Sequence, residues 1–141
     1  MRLLEAFAES LRRLIDLKAQ GKPDEALDAV QETADQLFGS SLPLIDSLDA
    51  ESAVDIIVEP EKVEMYARLA EEEAEILALL GHPDQAVEGR LRALEMFLER
   101  TRMSPPIDEE MKRRISELSS KVGTKHLDDR CRSLLDAVVQ E

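Results

Sequence analysis

The sequence predicts an all-α protein built from antiparallel helical hairpins, and three observations carry that expectation. Leu, Ala and Glu dominate a chain of 141 residues whose only aromatic side chains are Phe7, Phe38, Phe97 and Tyr66, a balance that suits helices and serves sheets poorly. Gly and Pro fall between periodic apolar runs and seldom inside them, so they punctuate helix ends. A turn-like octapeptide recurs at an offset of 60 residues.

The first helix is expected from Arg2 to Gln20, where Leu4, Phe7, Leu11, Leu14 and Ile15 share one side. Gly21 ends it, and Pro23 suits the first turn of a second helix, where a missing N–H costs nothing. Ala26, Leu27, Val30, Ala34, Leu37 and Phe38 form the second helix's apolar face, with Gly39 as its stop. The stretch 40–59 is less regular and predicts two short helices, capped by Ser41 and Asp49. A long helix follows from Pro60 to Leu80; Gly81 closes it, and Pro83 opens another that runs to Arg102. Ser104, Pro105 and Pro106 make a hard break. Ile107, Met111, Ile115, Leu118 and Val122 then recur every three or four residues up to Gly123, after which Thr124 can cap a last helix bearing Leu127, Cys131, Leu134 and Val138. The expected organisation is one helical domain over 1–141, with a hairpin over about 2–38, short irregular helices over 40–59, a second hairpin over about 60–103 and a capping hairpin over 107–140.

The repeat aligns Gly21-Lys22-Pro23-Asp24-Glu25-Ala26-Leu27-Asp28 with Gly81-His82-Pro83-Asp84-Gln85-Ala86-Val87-Glu88 and matches in type at seven of eight positions. A tight helix-to-helix turn demands this pattern: Gly permits left-handed dihedrals, Pro starts the next helix, and a small Ala lets two backbones approach. Residues 65–98 resemble a tetratricopeptide repeat, with its turn glycine, following small Ala and second Ala-Leu pair on Gly81, Ala86, Ala93 and Leu94, and Ala74 at the small site of the preceding helix. Residues 7–38 match less closely, with Leu14 at the small site and Thr33-Ala34 in place of Ala-Leu. The layout is similar to that of a family of uncharacterised bacterial tetratricopeptide-like proteins. That resemblance implies a short, irregular stack of hairpins ending in a capping helix pair, with Gly39 to Glu59 as an insertion, and it implies no activity. In that pattern the inner face includes Leu11, Ile15 and Lys18 of the first hairpin and Arg68, Glu71 and Glu75 of the second, so Lys18, Arg68, Glu71 and Glu75 are the candidate partner-binding residues. They differ from the basic and Asn residues of the family's peptide-carboxylate clamp, and a basic partner suits them better.

Helix faces rank the helices. From Pro60 to Leu80 the apolar residues spread over roughly 220°, which requires neighbours on two sides, whereas those from Ile107 to Val122 occupy only about 80°, as expected of an end helix. Two charges interrupt apolar arcs: Glu73 among Tyr66, Leu69, Leu77 and Leu80, and Arg90 among Ala86, Val87, Ala93, Leu94 and Phe97. Both are equidistant from the turn at 81–82, which predicts a partly buried Glu73–Arg90 ion pair across the hairpin, more a register device than a functional site.

Catalytic, cofactor and metal chemistry find no support in the pattern. Glu61, Glu64, Glu71 and Glu75 are expected on a solvated face with no histidine at i+3 or i+4. His82 and His126 are isolated, Cys131 lies on an apolar stripe, and the five glycines are scattered singly instead of forming a phosphate loop. Net charge is −13, and the stretch 41–80 holds eleven acids against Lys62 and Arg68, a field that repels nucleic acid and anionic lipid. The basic cluster of Arg90, Arg92, Arg100, Arg102, Lys112, Arg113 and Arg114 is cancelled by interspersed acids. Without a signal-peptide core or membrane span, and with one cysteine, the expected location is cytoplasmic. The function this predicts is a non-enzymatic protein-interaction or scaffold module for a protein or peptide, with a basic partner favoured. The alternatives are a homo-oligomer that covers Ile56, Ile57 and Val58 or Val138 and Val139, and, behind it, a carboxylate enzyme in a helical cleft.

Overall fold

The computed structural model describes residues 2–104 and 107–140, and among them every regular element is helical. In chain order these are α1 (Arg2–Ala19), α2 (Pro23–Phe38), α3 (Leu42–Ser47), α4 (Ala50–Ile57), α5 (Pro60–Leu79), α6 (Pro83–Met103), α7 (Glu109–Val122) and α8 (Asp129–Gln140). Single 3-10 turns precede α3 and α8. No helix of the described residues is long and apolar enough to cross a membrane.

The two copies of the octapeptide fold alike. Gly21 and Gly81 take φ of +74° and +84°, conformations that a side chain would strain. At the first turn Lys22 N–H donates to Leu17 O at 2.9 Å and Gly21 N–H to Lys18 O at 3.2 Å. At the second, His82 N–H donates to Leu77 O at 2.9 Å and Gly81 N–H to Ala78 O at 3.2 Å, the same pair of bonds closing a glycine-terminated helix. Ala26 and Ala86 then turn inward and are fully buried. The partner pairs Glu64–Arg100, Tyr66–Arg92 and Ala74–Gly89 run in opposite order along α5 and α6, so those helices are antiparallel.

Helix α5 lies between two apolar clusters. Its Met65, Leu69 and Ile76 join Phe7 and Leu14 of α1 and Ala26, Ala29 and Val30 of α2. From its other side Val63, Tyr66 and Ala67 join the larger cluster of α3, α4, α6, α7 and α8, built on Val54, Leu94, Leu98 and Ile115. That two-sided burial is what the wide apolar arc of this helix requires. Met111, Ile115, Leu118 and Val122 are all buried along the narrow stripe of α7, and Ile107 is buried just ahead of it.

Three local expectations change. Ser41 does stand at the N-cap position of α3, but its side chain makes no cap bond: the residue belongs to the 3-10 turn Gly39–Ser41, which runs straight into α3 with Leu42 N–H already bonded to Gly39 O. Asp49 does cap α4, accepting from Ser52 N–H at 2.8 Å. The last helix starts at Asp129, after the 3-10 turn Thr124–His126, and Asp128 accepts from Cys131 N–H at 2.8 Å at its first turn; Leu135 takes the buried position ahead of Leu134. Pro105 and Pro106 of the expected break lie outside the described residues.

The insertion is tied down by one arginine of α6. Arg92 donates to the carbonyls of Ile45 (2.9 Å) and Leu48 (2.8 Å) at the C-terminal end of α3 and to the Tyr66 hydroxyl, which itself donates to Asp46 at 2.7 Å. A cation at a helix C-terminus meets the negative end of its dipole. Arg92→Ala is expected to cost about 2 kcal/mol, the scale of hydrogen bonds to a charged donor. Hydrogen exchange should rise across 42–57 before it rises in α5; uniform protection would show that Arg92 does not anchor the insertion. Val58, which ends α4, holds φ +72° and ψ −53°, a region that β-branched residues avoid. Its side chain is 65% exposed, so little packing compensates, and Val58→Gly should raise stability by about 1 kcal/mol in a thermal melt.

Candidate functional site

A groove of about 370 Å³ opens where α1, α5 and α7 converge. Leu4, Phe7 and Leu11, one turn apart along α1, form one wall; Met65 of α5 and Phe97 of α6 form the floor; Met111 of α7 faces them. Charged residues rim it: Glu61, Glu64 and Arg68 from α5, and Asp108, Glu110 and Arg114 from the start of α7. Phe7, Met65, Phe97 and Met111 are buried at its base, whereas Leu4 is 46% exposed at its mouth.

The four candidate partner-binding residues come together in one chain of alternating charge. Lys18 of α1 donates to Glu72 at 2.9 Å and Glu75 at 2.5 Å. Arg68 donates to Glu72 and lies 3.7 Å from Glu71, and Arg114 of α7 donates to Glu71 at 3.0 Å and pairs with Glu110 at 2.8 Å. Glu71 is only 6% exposed, so its expected place on a solvated face is corrected: α7 lies over that face and supplies Arg114. Glu75 and Glu64 are half-buried and Glu61 is exposed. Burial pushes the Glu71 carboxyl up, with Arg114 and Arg68 offsetting it. Burial acts on Glu72 too, but hydrogen bonds from Arg68 and Lys18 outweigh it and hold that carboxyl below its ordinary range. The chain therefore joins α1, α5 and α7 and reaches the groove's rim at Arg68, Glu110 and Arg114, and most of its charge is matched internally.

The expected Glu73–Arg90 ion pair is not made. Ala74 and Gly89 face each other at a close approach of α5 and α6, so in this antiparallel pair Glu73 rolls to one side and Arg90 to the other. Glu73 accepts from Gln31 of α2 at 3.2 Å, and it lines a second cavity of about 340 Å³ with Asp46, Tyr66 and Arg92. Burial raises its carboxyl, the Asp46 charge adds to that, and Gln31 offsets part of it. Arg90 lies beside Ile15, Ala78 and Leu79 on the opposite side, with a buried Nε that has no hydrogen-bond partner among the described residues. Equal distance from the turn gave the height of each charge and not its side.

One node escaped the sequence altogether. Glu99 is 1% exposed and accepts from Arg130 at 2.7 and 3.0 Å and from Arg102 at 3.1 Å, with Glu51 3.4 Å from the same Arg130. It ties α6 to α8 and α4. No local spacing links residues 31 positions apart, so nothing in the pattern pointed to it. Cys131 is buried, and burial with its Asp128 hydrogen bond pushes the thiol to about 12, far from a nucleophile's range. His82 and His126 are exposed, and among the described residues no three His, Cys, Asp or Glu side chains are arranged to hold a metal.

What fold and site define is an all-helical protein with an apolar groove rimmed by charge. Compared with known proteins, the chain matches no family model, no curated protein and no solved structure.

Proposed function

We propose that the chain is a non-enzymatic protein-interaction module, a short tetratricopeptide-like stack of hairpins ending in the α7/α8 pair, whose α1/α5/α7 face receives a segment of another protein. The observation that carries this reading is the open groove, in which Leu4 stands exposed above a base of Phe7, Met65 and Met111 drawn from three separate helices. An apolar floor with a polar rim is what a recognition groove needs: burial supplies affinity and the rim supplies orientation. The matched octapeptide turns and the buried small residues Ala74, Ala86 and Ala93 support the stacked-hairpin part.

Capture from the native cell tests the proposal. Wild type, Leu4→Gln and, as a control far from the groove, Val139→Gln should melt alike. Partners retained by wild type and the control but lost with Leu4→Gln support the groove, and partners retained equally by all three would remove it.

A second reading keeps one observation of its own. Leu44, Ile56 and Val58 are exposed on the insertion and Val139 is 76% exposed, although Ile57 and Val138 are buried. A second copy could cover the exposed ones. Light scattering at micromolar concentration that finds only monomer eliminates it.

A further inference from the structure

We propose that the occupant of the groove is an amphipathic, positively charged segment of a partner protein, with apolar side chains seated on Phe7, Met65 and Met111 and its cationic end against Glu61, Glu64 and Asp108. This rests on the reading of the groove as the docking face and adds the chemistry of what docks.

The argument is one of unmatched charge. The groove's two cations are already spent: Arg68 is held by Glu72 and Glu71, and Arg114 by Glu71 and Glu110. Of its acids, Glu110 is matched by Arg114 and Arg113, but the other three are not matched in the same way. Glu61 is exposed and has no ion pair among the described residues, and one Asp108 oxygen accepts from Met111 N–H at 2.8 Å, capping α7 without any cation. Glu64 has one partner, Arg100 at 2.7 Å. Glu64 also feels its neighbours: burial raises its carboxyl, Arg100 offsets that, and the charges of Asp108 and Glu61 raise it further. Glu61 and Asp108 stand at the N-terminal ends of α5 and α7, so the fold brings two acid-bearing helix starts to one end of one apolar trough. A neutral segment would leave that repulsion standing. An anionic one would add to it and find no unpaired cation among the described lining residues. A segment with Lys or Arg beyond its apolar residues relieves it, and attraction of this kind also speeds encounter and weakens with salt.

The test is selection from a displayed library of random peptides of about 15 residues, long enough for roughly four helical turns. Clones that bind wild type and the Val139→Gln control are rescreened on Leu4→Gln, Glu61→Lys and the wild type in high salt. Clones weakened about tenfold by Leu4→Gln are expected to be net positive, with apolar residues on one side and Lys or Arg toward one end. They should lose a further tenfold or more with Glu61→Lys or at high salt. Groove-dependent clones that are neutral or acidic, or that ignore Glu61→Lys, would overturn the cationic assignment while leaving the groove as a docking face. If no clone responds to Leu4→Gln, the groove reading fails and this inference with it. A wild-type dimer dispersed by Leu4→Gln would make the occupant a second copy of the chain and overturn the proposal.

Discussion

Removing Arg102 and Arg130 together is expected to destabilise the protein by about 3–5 kcal/mol, more than removing the carboxylate they serve. Both arginines are partly open to water and can resolvate when Glu99 is lost, whereas Glu99 is 1% exposed and cannot. Taking away the cations therefore strands a charge in the core, while Glu99→Gln leaves two solvated cations and a neutral amide of nearly the same shape. Urea melts should order the proteins as wild type, then Glu99→Gln, then the double alanine variant. Adding Glu99→Met to the double variant should recover much of the loss, because an apolar side chain of similar size has nothing to desolvate. Equal costs for the carboxylate and the cations would show that the node acts through packing and not through charge.

The same node sets a pH signature. Burial alone would raise the Glu99 carboxyl above its ordinary 4.5, but hydrogen bonds from Arg130 and Arg102 outweigh burial and hold it lower. A depressed carboxyl contributes stability that is fully present above the unfolded value and is lost as pH falls through the folded one. In the double variant burial acts without opposition, so the folded value rises above the unfolded one. Its neutral form is then favoured on acidification from about pH 7 toward about pH 4. The gap between wild type and variant should be widest at neutral pH and narrow in acid. A gap that is constant over that range would place the loss elsewhere.

Helix order was legible because punctuation is local: Gly21 and Gly81 permit the left-handed turn, Pro23 and Pro83 fix φ for the next helix, and the turns they predict are present. The buried charges were not legible because their environment is made by distant helices. Glu71 reads as part of a solvated face and Glu73 as the partner of an arginine in α6, yet α1, α7 and α2 each approach one member of the run Glu71, Glu72 and Glu73 and supply Lys18, Arg114 and Gln31. Lys18 and Glu72 are 54 residues apart, a separation that no helical period encodes. The candidate face Lys18, Arg68, Glu71 and Glu75 is spatially one cluster, but much of it is turned inward as structural pairing, and the open part of the groove lies at Leu4, Glu61 and Asp108. The side taken by Glu73 and Arg90 did have a signal. Gly89 sits inside a helix, where glycine costs about 1 kcal/mol relative to Ala, and a close backbone approach is the reason a chain tolerates it.

That approach fixes the remaining large effect. A Cβ built on Gly89 would lie 3.0 Å from Ala74 Cβ, 3.5 Å from Ala74 Cα and 3.8 Å from Ala70 O. These atoms are backbone, or are fixed directly to it, and cannot swing aside as the end of a long side chain could. Gly89→Ala sets a gain of about 1 kcal/mol in helix propensity against a contact a few tenths of an ångström too close, so its net effect should stay within about 1 kcal/mol. Gly89→Leu has no such balance: the side chain must enter the space of α5, and α5 and α6 have to part along the contact that aligns both apolar clusters. The expected loss is about 3 kcal/mol or more, at the upper end of overpacking costs. Ala74→Gly should relieve Gly89→Ala more than it helps wild type, giving a coupling that a double-mutant cycle measures directly. Additive costs at the two positions, or a Gly89→Leu protein as stable as wild type, would mean that the hairpin is not held at this point and that another contact decides which faces of α5 and α6 meet.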